Sequence, residues 1–398
     1  MANNNKHTGP NVPALRFPEF SGEWERKALS EFVDRVTRRN KGLKSTRPLT
    51  ISAQFGLVDQ TEFFKKSVAG ADLSNYYLLS KGEFAYNKSY SDGYPLGAIK
   101  RLDRYDSGVL SSLYICFVPK PYMSSDYLVQ YFESTKWNQV VKDISGEGAR
   151  NHGLLNVPVT GFFETQHYIP KRDEQEKLGA FLTLIEKRIA TQSKIIEELT
   201  TLRSALLDKV FQVSNPTLEL GAIAHQTSER NKLCRYSNVL SVSNRFGFIN
   251  QSEQFEDRNV ASDDVRNYKV VHRGDFAYNP ARINVGSIAM LKSFESGIVS
   301  PMYICFQVDD TIVDPSFFEL FLETKAFKDE MEIRLEGSVR RCLSFEALCE
   351  IHMPRPALLV QRFISDKIGN ISSKIKLEDS ILRAYIRQRE WLLKQMFI

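Results

Sequence analysis

The sequence predicts an α+β protein built twice: two repeated globular units, each followed by a long helix, with the helices paired as an antiparallel coiled coil in a pseudo-twofold arrangement. Three observations predict it. From 171 to 211 the chain has no proline, and Leu178, Leu182, Ile185, Ile189, Gln192, Ile196, Leu199, Arg203, Leu206 and Val210 step by alternating fours and threes, the seam of a coiled coil. The stripe recurs 186 residues later as Ile364, Ile368, Ile371, Ile375, Glu378, Leu382, Tyr385, Arg389, Leu392 and Met396, with its polar breaks at the same two steps. Framework segments between the stripes also match, at offsets of 189 to 192 residues.

The expected organisation is a first unit over 12–170, a first helix over 171–211, a second unit over 216–353 and a second helix over 354–398. Only a few residues, QVSNPT, join the first helix to the second unit, which places that unit at the helix's far end and makes the second helix run back along the first. At roughly 1.5 Å per residue over some 35 to 40 residues, each helix would be roughly 50 to 60 Å long.

Composition places limits on function. Of 398 residues, 42% are hydrophobic and 25% charged, as in a globular protein, with a formal net charge of +5 that permits an anionic partner. No apolar run approaches a membrane span, and MANNNKHTGPNVP lacks a signal peptide's apolar core, so a cytoplasmic chain is expected. Five cysteines without a Cys-x-x-Cys pair agree with a reducing compartment, and six histidines show no metal-ligand spacing. Cys116 and Cys305 occupy the same place in LYICF and MYICF and read as buried core thiols.

Taken in order, the first unit opens with PALRFPEFSGEWERKALSEFV and then carries Arg35, Arg38, Arg39, Lys41, Lys44 and Arg47 with no acid between them. A solvated loop and a contact to a nucleic-acid backbone both fit this run. LTISAQFGLVDQ and its copy LSVSNRFGFINQ read as a strand and a bend at Phe-Gly. The densest match is NYYLLSKGEFAYNKS with NYKVVHRGDFAYNPA, where a Lys-Gly-Glu or Arg-Gly-Asp turn delivers a strand. Phe84, Ala85, Phe276 and Ala277 read as core, whereas Tyr86, Asn87, Tyr278 and Asn279 at the strand ends are open to functional use. The copies then diverge, KSYSDGYPLGAIKRLDRYDS against PARINVGSIAMLKSFES, before rejoining at GVLSSLYICF and GIVSPMYICF. Matched framework with unmatched loops implies two binding surfaces with different contacts. Each unit closes with a helical segment and a glycine-containing loop, which hold Arg150 and the pair Arg340 and Arg341.

No catalytic site is apparent. The chain has no Gly-x-x-x-x-Gly-Lys phosphate loop, no Gly-x-Gly-x-x-Gly turn, no Gly-x-Ser-x-Gly elbow and no His-Glu-x-x-His. Asn279-Pro280 is followed by Ala281 and does not complete an Asn-Pro-Pro-aromatic tetrad.

LRFPEFSGEW at the start, the unit–helix–unit–helix order and the Pro-x-x-x-Glu-Gln pattern from Pro170 to Gln175 resemble the specificity subunit of Type I restriction-modification enzymes. The second helix departs from this pattern, with Val360-Gln361 in place of Glu-Gln. The resemblance implies a non-catalytic subunit whose two target recognition domains each read half of a split duplex DNA sequence. It also implies helices that act as a ruler and dock two modification (methyltransferase) subunits, joined by restriction and translocase subunits. S-adenosylmethionine, ATP and Mg would then belong to those partners, and this chain would bind no cofactor or metal. The candidate DNA-binding residues are Arg38, Arg39, Lys41, Asn87, Lys88, Tyr90, Arg101, Arg150, Asn279, Arg282, Arg340 and Arg341. Arg340 is expected on a base and Arg341 on phosphate or in mixed use. A non-catalytic coiled-coil scaffold for protein partners is the alternative that the same features allow.

Overall fold

The computed structural model describes residues 11–398 apart from 65–69, 71, 92, 146–154, 213–216, 245, 252–263 and 338–340. The chain divides into two compact units, Met1–Ser193 with Ser380–Ile398, and Lys194–Asp379. Each unit therefore contains part of both long helices.

Unit 1 starts with β1 (Glu25–Ala28), the single turn α1 (Leu29–Phe32) and β2 (Val33–Arg35). A hairpin of β3 (Leu49–Ser52) and β4 (Gly56–Asp59) follows, its bend taken by Gly56 at φ 79°, a conformation that suits glycine. Next come α2 (Gln60–Phe64), β5 (Tyr77–Ser80), β6 (Phe84–Asn87), β7 (Ala98–Arg101), β8 (Ser107–Leu110) and β9 (Ile115–Pro119). Helices α3 (Ser125–Glu133), α4 (Asn138–Ile144) and α5 (Val159–Glu164) and strand β10 (Gln166–Ile169) lead into the long α6 (Arg172–Gln212).

The central sheet has the order β2-β9-β6-β7, all antiparallel. Alternation along its strands separates two cores. Phe84, Tyr86, Ile115 and Phe117 face the helices, while the small Ala85, Ala98 and Cys116 face the β3–β4 hairpin and the β5–β8 pair. Burial pushes the Cys116 thiol up to about 12, so it behaves as a small apolar side chain.

Unit 2 repeats this plan with β11 (Thr217–Glu219), β12 (Ala224–Thr227), β13 (Leu240–Ser243), β14 (Gly247–Asn250), β15 (Lys269–His272), β16 (Phe276–Tyr278), β17 (Ile288–Met290), β18 (Ser296–Val299) and β19 (Ile304–Val308). It ends with α7 (Pro315–Glu323), α8 (Lys325–Arg334), α9 (Phe345–Cys349), β20 (His352–Pro354) and the long α10 (Leu358–Gln395). The sheet order is β12-β19-β16-β17, the counterpart of unit 1. Even the aromatic packing repeats: Phe84 stacks on Phe117 and Phe276 on Phe306, each with centroids 5.4 Å apart.

Tyr86 and Tyr278 correct the expectation of strand-end tyrosines open to function. Both are fully buried, Tyr86 donating to Leu96 O at 2.7 Å and Tyr278 to Leu343 O at 3.3 Å. The period of two turns them to the helix side of the sheet, and only their hydroxyls find polar partners.

None of the twenty seam positions, nineteen on α6 and α10 and Met396 just past the end of α10, is fully exposed. In unit 1, Leu178, Leu182 and Ile185 share a core with Leu392, Leu393, Met396 and Phe397, Glu186 meets Arg389 at 2.6 Å, and Arg188 lies over the Tyr385 ring. Numbers rise on one helix as they fall on the other, so the pairing is antiparallel. In unit 2, Leu207 and Phe211 pack with Ile364 and Ile368, and Arg203 Nε donates to Ser372 Oγ at 2.7 Å, again antiparallel. The arginines that interrupt the seam have matched partners: Arg389 reaches Glu133 at the end of α3, and Arg203 reaches Glu323 at the end of α7. Each arginine break thus ties a long helix to the globular part of its unit.

The starts of the long helices are latched alike. Gln175 donates to Pro170 O at 2.8 Å and accepts from Ser124 N at 2.9 Å; Gln361 donates to Pro356 O at 2.8 Å and accepts from Asp314 N at 2.9 Å. Ser124 and Asp314 are the N-caps of α3 and α7, so one glutamine fixes two helix starts together. Beside Gln175, Glu174 is buried against Arg16 and Trp24; beside Gln361, Val360 is 47% exposed. Arg16 and Trp24 lie in the opening LRFPEFSGEW, which the short linker before unit 2 does not repeat, and this accounts for the departure at Val360.

Candidate nucleic-acid interface

In unit 2 a concave site of about 380 Å³ runs along β13 and is walled by the turns after β16 and β18. Asn279 and Arg282 line it, together with Asn244, Gln251, Ser287 and Met302, and no carboxylate is among its described residues. Its walls are held in place by their own hydrogen bonds. Asn279 Oδ1 accepts from Ala281 N at 3.1 Å, Asn279 N donates to Ser287 O at 3.1 Å, and Ser287 Oγ donates to Val242 O at 3.0 Å. Gly286, at φ 88°, lets this turn approach Asn244, whose Cβ lies 3.2 Å from where a Gly286 Cβ would sit. Arg282 is exposed beside them. The site offers an amide and a hydroxyl held by hydrogen bonds and an exposed guanidinium beside them, the groups that pair with base edges.

In unit 1 the matching turn begins at Asn87, whose Oδ1 accepts from Ser89 N at 3.1 Å. Both asparagines spend the carbonyl oxygen on the turn, which leaves the amide NH2 as the group available to a ligand. Lys88 is half-buried, and burial lowers its pKa; Tyr90 is 62% exposed. Arg101, at the end of β7, is held by Asp103 at 2.7 Å and by Asp126 at 2.8 Å.

The basic stretch between β2 and β3 is an ordered loop. Asn40 closes it, donating to Ser45 O at 2.8 Å and accepting from Ser45 N at 3.1 Å. Arg38 pairs with Glu83, and Arg39 lies 4.4 Å from the Tyr77 ring and donates to Asn75 O, so both are engaged within the unit. Lys41 is exposed. At the end of unit 2, Arg341 pairs with Glu332. Arg150 and Arg340 lie outside the described residues.

Two solved structures have a similar fold. The S subunit of a Type I restriction-modification system from M. genitalium aligns over 97% of this chain and 99% of its own, with 13% identity and a TM-score of 0.57. The fold is that of a Type I S subunit. A chain from a structure on complex assembly and conformational transition of the type I R-M system aligns over 94% and 97%, with 15% identity and a TM-score of 0.54. No protein-family model matches the sequence, and no curated protein matches it.

Within this S-subunit fold, the structure adds residues that sequence reasoning did not single out. The Asn40 loop has a twin in unit 2, where Asn231 donates to Tyr236 O at 2.8 Å and accepts from Tyr236 N at 3.2 Å. Arg230 donates to Asn267 O at 3.0 Å, as Arg39 does to Asn75 O, and Leu43 and Cys234 take the same left-handed conformation at φ 52° and 50°. Lys232 and Arg235 are exposed there, as Lys41 and Lys44 are in unit 1. Asn231 N donates to Tyr268 O, and Tyr268 lines the concave site, so this basic loop borders it. The signal was present in the sequence as Arg39-Asn40-Lys41 and Arg230-Asn231-Lys232, at the same offset as the following strands.

Proposed function

We propose that this chain is the DNA-recognition subunit of a Type I restriction-modification complex, reading a duplex target in two separated halves, one per unit. The observation that carries this reading is one scaffold present twice with different groups around an asparagine that both copies keep: Arg282 and Asn244 beside Asn279 in unit 2, against Lys88, Tyr90 and Ala53 beside Asn87 in unit 1. The repeated basic loops supply attraction to phosphate that does not depend on sequence, and the unmatched groups supply base readout. The long helices dock modification subunits and set the gap between the half-sites. Methylation and cleavage, with S-adenosylmethionine, ATP and Mg, fall to those partners and to the restriction and translocase subunits, in the cytoplasm.

Methylome sequencing of cells with and without the protein tests this. A two-part motif with a fixed gap is expected, and Arg282→Ala should relax preference at one position in one half only, a cost of about 1 to 3 kcal/mol at that base pair. Loss of preference in both halves at once, or methylation independent of this chain, overturns the reading.

A further inference from the structure

Two exposed apolar side chains recur at matched positions in turns of the shared framework. Leu113 and Met302 are 63% and 62% exposed, and Phe55 and Phe246 are 57% and 69% exposed. The turns that carry them are built the same way. Tyr114 N donates to Ser111 O at 3.2 Å and Tyr303 N to Ser300 O at 3.0 Å. The hydroxyls of these tyrosines lie 3.4 Å from Thr50 Oγ1 and from Val242 N respectively, pinning each turn to its hairpin. With the tyrosine held inward, the preceding residue of the turn is directed into solvent. At the hairpin tips, Phe55 N and Phe246 N donate to the hydroxyls of Ser52 and Ser243. The residues just before them differ, Ala53-Gln54 against Asn244-Arg245.

Leu113, Met302 and Phe55 are each more than half exposed, and between SSLY and SPMY the residue changes from Leu to Met while its apolar character is kept. A contact common to both units is implied, and it must be indifferent to base sequence if the units read different half-sites. Met302 identifies the surface, because it lines the same concave site as Arg282, Asn279 and Gln251, which carries a cation and no carboxylate among its described residues. That charge and hydrogen-bonding character suits duplex DNA.

We infer that Leu113 with Phe55, and Met302 with Phe246, are apolar wedges that enter the groove of each half-site and press on base faces or sugars, independently of sequence. The inference rests on the DNA-recognition reading and adds a shared shape contact to it.

The test uses the full chain assembled with its modification subunits and a duplex enriched from a random pool by the wild-type complex. Variants are Leu113→Ala with Met302→Ala, Phe55→Ala with Phe246→Ala, and Leu113→Met as the conservative exchange. Each alanine pair should lower affinity for that duplex about tenfold, keep the enriched motif and keep the salt slope, while Leu113→Met binds as wild type. Unchanged affinity of the alanine pairs overturns the inference, as does a change of preferred base at one position. Loss of modification subunits on gel filtration, with normal DNA binding by the complexes that do assemble, assigns the side chains to a protein contact and overturns it too. If the wild-type complex enriches no duplex, the DNA-recognition reading itself fails; the other adverse outcomes reject the wedges alone.

Discussion

Unit 1 and unit 2 share a backbone plan but differ in how polar their interiors are. In unit 1, His167 is buried between Tyr131 Oη at 2.7 Å from Nδ1 and Thr165 Oγ1 at 2.8 Å from Nε2. Thr165 Oγ1 donates to Phe162 O, so Nε2–H donates to the threonine and the tyrosine donates to Nδ1, a neutral imidazole with both nitrogens satisfied. The matching residues in unit 2 are Phe321, Met353 and Ile351, all buried and apolar; Leu29 N donates to Thr165 O as Leu220 N does to Ile351 O, each at 2.9 Å. The Arg16–Glu174 pair, with side chains 4% and 2% exposed, likewise has no twin beside Val360. One framework accepts either interior, because His167 and the Arg16–Glu174 pair each have their polar partners within unit 1.

The comparison breaks most sharply at Glu174. Glu174→Val copies unit 2 into unit 1 but leaves the Arg16 guanidinium buried without its carboxylate, and should cost about 3 to 5 kcal/mol. The reverse change, Val360→Glu on the exposed side of α10, should stay within about 0.5 kcal/mol. Urea denaturation followed by tryptophan fluorescence measures the Glu174→Val loss, since Trp24, Trp137 and Trp391 all belong to unit 1, and hydrogen exchange at the amides of α10 near Val360, in unit 2, measures the reverse change.

Acid should separate the units next. Burial pushes His167 down to about 4. Below about 6.5 the unfolded chain takes up a proton on this residue that the folded unit refuses, so the stability given by the neutral imidazole is complete above that pH. It is lost as pH falls through the window down to about 4, up to roughly 3 kcal/mol, with no further loss from this group below it. The triple change Tyr131→Phe, Thr165→Ile, His167→Met should flatten that part of the fluorescence-monitored stability profile. A wild-type profile that is already flat there would reject the assignment.

The seam arginines should show the smallest contrast. Arg389 holds Glu133 and Glu186, whereas Arg203 holds Glu323 and the Ser372 hydroxyl. Arg389→Ala should cost about 2 kcal/mol and Arg203→Ala about 1 kcal/mol, because the first leaves two partly buried carboxylates without this partner and the second leaves one exposed carboxylate. Hydrogen exchange at the last amides of α3 and α7 measures the two losses separately.

What the sequence determined by itself was the repetition and its period. A seam of alternating fours and threes marks a helix face, matched offsets mark a duplicated scaffold, and both are local patterns that hold wherever the chain folds. Cys116 and Cys305 were legible as core for the same reason, since they lie in alternating strands. Only the tertiary structure decided which polar residues are committed and which remain for a ligand. Tyr86 and Tyr278 stand beside Asn87 and Asn279 in sequence, yet the pleat buries the tyrosines and turns the asparagines to the strand ends. Arg203 and Arg389 read as matching flaws in a seam until Glu323 and Glu133, more than a hundred residues away in the chain, came within reach. The concave site beside β13 draws on turns far apart in sequence, and no periodicity can report it. Burial and pairing are set by whatever long-range folding brings alongside, whereas periodicity is set by the neighbours along the chain.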